Sequence, residues 1–212
     1  MFDRKLSQRR LLVGIGGNIG AGKTTVTNEL KRYGAKIIDA DKIGWALLRR
    51  NSPHYKKLVE VFGKRILNKN GQIDHKALAE RAFANKTSLK KLNRIMHPPI
   101  IKRIKKEITK NQKGLVILDA ALLFTLGLNK EMDVAILVTA PERLKVKRLI
   151  ESGMTKEAAK ARLKLQEPDS KVWRKAGFVL ENKGSLAELR RKSRALWNFF
   201  YSSRFQNLKT GS

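Results

Sequence analysis

The sequence predicts an α/β protein: a doubly wound, parallel five-stranded sheet that carries a helical insertion and a lid. Three observations lead there. Short, almost continuously apolar runs at residues 11–15, 115–118 and 134–138 have the character of strands covered on both faces, as parallel strands are. Helix-forming stretches alternate with them, the pattern of crossover-connected strands. Between the first run and the first helix lies Gly17-Asn18-Ile19-Gly20-Ala21-Gly22-Lys23-Thr24, a full G-x-x-x-x-G-K-[ST] phosphate-binding loop.

Leu11-Leu12-Val13-Gly14-Ile15 reads as the first strand and Thr24 to Arg32 as the first helix, so the loop has the context its motif requires. Its glycines let backbone N–H groups and the helix N-terminus converge on an anion. Lys23 is placed to reach the β- and γ-phosphates, and Thr24 to offer a hydroxyl to the Mg²⁺ that bridges them. A nucleoside triphosphate is therefore the expected ligand. The dinucleotide fingerprint G-x-G-x-x-G fails, because starting at Gly14 or Gly20 puts Ile19 or Thr25 in the last glycine position.

Ala35-Lys36-Ile37-Ile38-Asp39 is the second strand, ending in acid, and a helical stretch runs from Ala40-Asp41 through Arg50. Ligands of open α/β sheets bind outside the carboxyl ends of the strands, which makes Asp39 and Asp41 candidate ligand contacts; Asp41 is also a candidate helix cap. Residues 51–112 read as a helical insertion, broken at 68–71 and at Pro98-Pro99. Leu115 to Asp119 is the third strand, again closed by an acid, and Val134 to Val138 the fourth. Thr139-Ala140-Pro141-Glu142 then has the form of a capping box with proline inside the helix start. One helix over Arg143–Ile150 and a second, basic one ending near Gln166 follow. Phe178-Val179-Leu180 is the fifth strand, and Ser185-Leu186-Ala187-Glu188 opens a last helix that reaches about Phe200. The expected division of the single domain 1–212 is a core at 11–50, 113–142 and 176–205, the insertion at 51–112 and a lid at 143–175.

At 212 residues the chain is long enough for one such domain and a substantial core. Cysteine is absent, which removes disulfides, thiolate metal sites and cysteine nucleophiles and agrees with a cytoplasmic location. No stretch approaches the roughly 20 apolar residues of a membrane span, and Met1 to Arg10 lacks the apolar segment of a signal peptide. With 47 Lys and Arg against 18 Asp and Glu, the formal charge is +29. The basic residues are spread along the chain and not gathered into a stripe with interleaved aromatics, so nucleic acid is not the expected partner.

The chain resembles the dephospho-coenzyme A kinases over about residues 11–190. The resemblance rests on separated motifs: the loop Gly17 to Thr25, Ile37-Ile38-Asp39-Ala40-Asp41, Gly63…Ile66-Leu67…Gly71-Gln72-Ile73-Asp74, His97-Pro98, Leu118-Asp119-Ala120-Ala121-Leu122-Leu123-Phe124, Arg162…Gln166 and Asn182-Lys183-Gly184. It implies ATP- and Mg²⁺-dependent phosphorylation of the ribose 3′-hydroxyl of dephospho-coenzyme A. On that resemblance Asp41 is the base that takes the hydroxyl proton, and Thr24 and Asp119 serve the metal, Asp119 through water or by orienting the Thr24 hydroxyl. Asp39, His97 and Leu122 lie on the acceptor side. Arg148 and Arg162 are the candidate lid cations, and Asn182 and Gly184 belong to the loop near the adenine of ATP.

The chain also departs from the family pattern. Gly16, Gly17 and Asn18 stand where Thr-Gly-Gly is usual, Ala121 where proline is common and Thr125 where an acid is common. Glu151 lies near a usual arginine, and the sequence around Gly153 is contracted. A related kinase acting on a nucleoside or nucleotide, an ATP-dependent nucleic-acid-binding protein and a kinase that binds ATP without transferring it are the alternative readings.

Overall fold

The computed structural model describes residues 10–201. Residues 1–9 and 202–212, which hold most of the basic extension and of the tail beyond Phe200, lie outside the described residues. Two compact units form: Met1–Ile38 with Lys110–Ser212, and Asp39–Thr109.

The first unit is organised by a five-stranded sheet of order β2-β3-β1-β4-β5: β1 (Arg10–Gly16), β2 (Lys36–Asp39), β3 (Gly114–Asp119), β4 (Val134–Thr139) and β5 (Phe178–Glu181). β1 pairs in parallel with both β3 and β4, and β4 in parallel with β5. The three runs that read as almost continuously apolar, β1, β3 and β4, occupy inner positions and are buried along almost their whole length. Leu11, Val13 and Ile15 of β1 project to one side and pack with Val26 and Leu30 of α1 (Lys23–Arg32) and with Leu189 and Phe200 of α9 (Leu186–Tyr201). The period-two alternation along β1 thus selects the side chains of this core.

In the second unit, α2 (Ala40–Ala46), α3 (Pro53–Phe62), α4 (His75–Ala82) and α5 (Lys86–Lys110, whose last residue belongs to the first unit) gather around Leu48, Leu58, Ile66, Ile73, Leu78 and Met96. Local chemistry sets their starts. Ser52 accepts from the Tyr55 N–H at 3.1 Å with Pro53 in the first helical turn, and Asp74 accepts from Lys76 and Ala77 N–H at 2.8 and 3.0 Å.

Three local expectations change. α2 ends at Ala46, well before Arg50, and its N-cap is Asp39, whose carboxylate accepts from the Lys42 N–H at 2.9 Å. Asp41 therefore sits in the first helical turn and is not the cap. Pro98 and Pro99 do not break the insertion: α5 runs through both as one helix of 25 residues. Two N–H donors are missing there, and the flanking turns are held by buried Met96 and Ile104. The predicted capping box at Thr139–Glu142 does not form. α6 (Glu142–Glu151) begins after Pro141 without a side-chain cap, and Thr139 is still the last residue of β4, its hydroxyl hydrogen-bonded to Asp169. Ser185-Leu186-Ala187-Glu188 also has the form of a capping box, and half of it is present, with Ser185 Oγ accepting from the Glu188 N–H at 3.2 Å.

Candidate active site

The phosphate loop leaves β1 at Gly16 and enters α1 at Lys23. Two of its glycines are demanded by close approach. A side chain on Gly22, at φ 99°, would run into the Asn182 amide, and one on Gly20, at φ 77°, would lie 2.8 Å from the Lys145 carbonyl oxygen. Gly22 is also the residue from which α1 starts, with no side-chain cap and no acid in the first turn. The N–H groups at that helix end are therefore directed at whatever anion occupies the loop.

Lys23 and Asp119 form an ion pair, with side chains only 11% and 10% exposed. The other Asp119 oxygen accepts from the Thr27 hydroxyl at 2.9 Å. The hydroxyl that engages Asp119 is thus Thr27's, one turn past Lys23, while Thr24 is exposed. The apolar walls of β3 hold this carboxylate, 8% exposed as a residue, beside the lysine, and a partner is what a charge so far out of water requires.

Three further residues brace the loop. The Arg148 guanidinium, on α6, donates to the Gly20 carbonyl at 3.0 Å, more weakly to that of Ala21 at 3.5 Å, and to the Asn182 carbonyl at 3.4 Å. Asn182, 4% exposed, donates its side-chain N–H to the Ala21 carbonyl at 2.8 Å. That amide nitrogen, on a segment the resemblance places near the adenine of ATP, is directed at the backbone of the phosphate loop. Gln166 Oε1 accepts from the Ile19 N–H at 3.0 Å, and the Asn18 amide donates to the Glu167 carbonyl at 3.1 Å. Asn18, the departure from the glycine pattern, uses its side chain to tie the loop to residues 166–167.

That strap is anchored in turn by Asp169 at the start of α8 (Asp169–Val172). Its Oδ2 accepts from the Thr139 hydroxyl and lies 2.5 Å from Lys145 Nζ, a lysine only 6% exposed. Its Oδ1 is buried without a hydrogen-bond partner. Lys145 and Asp169 were not singled out from the sequence. A usable signal existed for Lys145, because it falls on the apolar stripe of α6 with Val146 and Leu149. Asp169, beyond Pro168, carried none.

Arg162 is half-buried in the last turn of α7 (Lys156–Lys164), and Leu122 is half-buried beside Gly17, Asn18 and Thr125 around a cavity of about 20 Å³. Thr125, where an acid was expected, donates to the Glu167 carboxylate at 3.2 Å, so an acid reaches this place from elsewhere in the chain. Gly184 precedes α9, and a side chain on it would overlap the Glu188 carboxylate.

The remaining candidates lie in the second unit. Asp39 caps α2 and Asp41 is exposed in its first turn. His97 is half-buried on α5, where desolvation lowers its pKa below the usual imidazole value.

The family model described as dephospho-CoA kinase (CoaE) matches residues 11–188. A dephospho-CoA kinase of Aquifex aeolicus is 40% identical over 178 residues, 83% of this chain and 90% of that protein. Among solved structures, TT1252 from Thermus thermophilus superposes with a TM-score of 0.72 at 33% identity, covering 89% of this chain and 96% of that one. The dephospho-CoA kinase from Campylobacter jejuni superposes with a TM-score of 0.61 at 30% identity, covering 88% and 95%.

Proposed function

This chain belongs to the dephospho-CoA kinase family, and on that premise we propose how its own residues divide the transfer of a phosphoryl group from ATP to the acceptor's ribose 3′-hydroxyl. The activity is that of a kinase with an alcohol acceptor, dephospho-CoA, and with ATP as donor. The observation that carries the residue-level reading is the phosphate loop, with its lysine held beside a buried aspartate and its backbone braced from α6 and from residues 166–167.

Binding of the triphosphate moves Lys23 from Asp119 onto the β- and γ-phosphates, exchanging one ion pair for a more highly charged one. Asp119 is thereby released. Among the described residues no cluster of three or more acidic or histidine side chains could hold a metal by itself. Mg²⁺ at a nucleotide keeps several waters and takes one or two protein ligands beside the phosphates. Thr24, exposed next to Lys23, and Asp119 are the residues we assign to it. When bound, Mg²⁺ neutralises charge on the β- and γ-oxygens.

Asp41 accepts the proton of the ribose hydroxyl as the new O–P bond forms and the bond between the γ-phosphorus and the ADP oxygen breaks. It lies exposed in the first turn of α2. Arg148, spent on loop carbonyls, positions the loop, and Arg162 supplies the lid cation for the transferring group. Asp39, His97 and Leu122 contact the acceptor. Gly184, like Asn182, lies on the ATP side. The cysteine-free composition supports a cytoplasmic location.

The test is ADP release by the purified protein with Mg²⁺ and ATP, with and without dephospho-CoA. Release that requires the acceptor is expected. Release that is the same without it, in folded protein that binds ATP, contradicts the reading.

A further inference from the structure

One side of α2 is packed and the other is open. Ala40 is buried, Leu47 and Leu48 just beyond the helix join the core of the second unit, and Gly44 lies against Ile100 of α5, where an added Cβ would sit 3.4 Å from the Ile100 side chain. Asp41 and Trp45, four residues apart, share an adjoining, exposed side. Side chains at that spacing are neighbours one turn apart.

Trp45 is 45% exposed, an unusual position for an indole. It is nonetheless held in a defined orientation. The imidazole of His75, first residue of α4, stacks on it with ring centroids 3.9 Å apart and 14° between planes. His75 itself is fixed at a helix start by the Asp74 cap. The stack covers one face of the indole, and Trp45 stays exposed to solvent beside it. What results is a rigid aromatic surface, already ordered, beside the carboxylate assigned to the reacting hydroxyl.

We propose that Trp45, backed by His75, is the stacking platform for the purine of the acceptor. The inference rests on the assignment of Asp41 to the acceptor's ribose hydroxyl. Purine and hydroxyl belong to the same nucleoside, so a residue that handles the hydroxyl needs a neighbour that handles the base, and Trp45 is that neighbour on the same helix face. A flat, electron-rich indole suits a purine, and the His75 ring behind it removes the cost of ordering the tryptophan on binding. Stacking of this kind fixes the ribose without reading the edge of the base, so the platform discriminates aromatic bases from other groups more than one purine from another.

The experiment compares wild type, Trp45→Phe and Trp45→Ala by steady-state kinetics with each substrate varied in turn, alongside thermal melting. Loss of one base–aromatic stack is expected to raise the KM for dephospho-CoA on the order of ten- to a hundredfold in Trp45→Ala. The KM for ATP and the melting temperature should stay unchanged, and Trp45→Phe should recover most of the loss. An unchanged KM for dephospho-CoA overturns the proposal, as does a rise in both KM values together with a lower melting temperature, which is the mark of a packing role. If wild type does not turn over dephospho-CoA, the functional reading fails first. Calorimetric titration with dephospho-CoA alone then decides the platform separately. A Kd raised in Trp45→Ala upholds it, and equal values or no binding to wild type overturn it.

Discussion

Lys23 and Asp119 show how a buried pair can serve a reaction. Neither charge is well solvated, so removing one partner strands the other, and Asp119→Asn is expected to lower stability and to weaken ATP binding together. Lys23→Ala has a different signature, with turnover abolished and ATP affinity reduced, measured as initial rates and by calorimetry. Asp41 is exposed, and on the base role proposed for it Asp41→Asn should leave ATP binding intact and cut kcat by about two to four orders of magnitude. Near-normal turnover in that variant would remove Asp41 from the base role. If Arg162 is the lid cation, Arg162→Ala should lower kcat far more than it raises the KM for ATP. At His97 the sign follows from burial. Its folded-state pKa lies below the unfolded value, so the unfolded chain binds the proton more readily and stability is lost as pH falls through about 6.5 toward the lower folded value. The melting temperature of His97→Gln should fall less between pH 7.5 and 5.5 than that of wild type, and parallel curves would contradict the assignment.

At the scale of elements, the loop depends on segments far from it in sequence. Gln166 and Glu167 hold Asn18 and Ile19, and Asp169 holds that strap to Thr139 and Lys145. Asp169→Leu leaves Lys145 buried without its partner and should cost about 3–5 kcal/mol of stability. The double variant Lys145→Met with Asp169→Leu replaces the pair by apolar groups and should recover most of that loss in a denaturant titration. A double variant as unstable as the single one would show that the pair itself, and not the unpaired charge, carries the energy. This bracing was largely hidden in the sequence, because the strap meets the loop across 147 and 149 residues and is anchored across 30 and 24, between residue types that are ordinary on a basic surface. The element boundaries were legible where an apolar run was continuous, as in β3 and β4, and illegible where the expected cap did not match the helix start. Thr139 has the sequence of a helix cap and spends its hydroxyl on Asp169, and Asp39, read as a strand end, is the cap of α2. Pro98 and Pro99 look like a break, yet buried residues on either side keep α5 continuous.

For the whole molecule, the parallel sheet and the phosphate loop were readable because both are local signals: apolar runs of strand length, and a motif whose backbone shape needs glycine at set places. The order β2-β3-β1-β4-β5 follows from pairings that no single window of sequence contains. The charge of +29 is legible as composition, but its effect belongs to the molecule as a field. Both substrates of the reaction are polyanions, so the field should speed their encounter, and kcat/KM for ATP and for dephospho-CoA should fall as salt rises from 20 to 300 mM while kcat changes little. A salt-independent kcat/KM would mean that the basic residues lie too far from the paths of approach to matter. The central claim, transfer to the ribose 3′-hydroxyl of dephospho-CoA, is tested most directly by mass and phosphorus NMR of the product formed from ATP and dephospho-CoA. The account predicts a single phosphate added as a 3′-monoester, giving coenzyme A. A phosphate at any other position, or acceptor recovered unchanged from folded, ATP-binding protein, would contradict it.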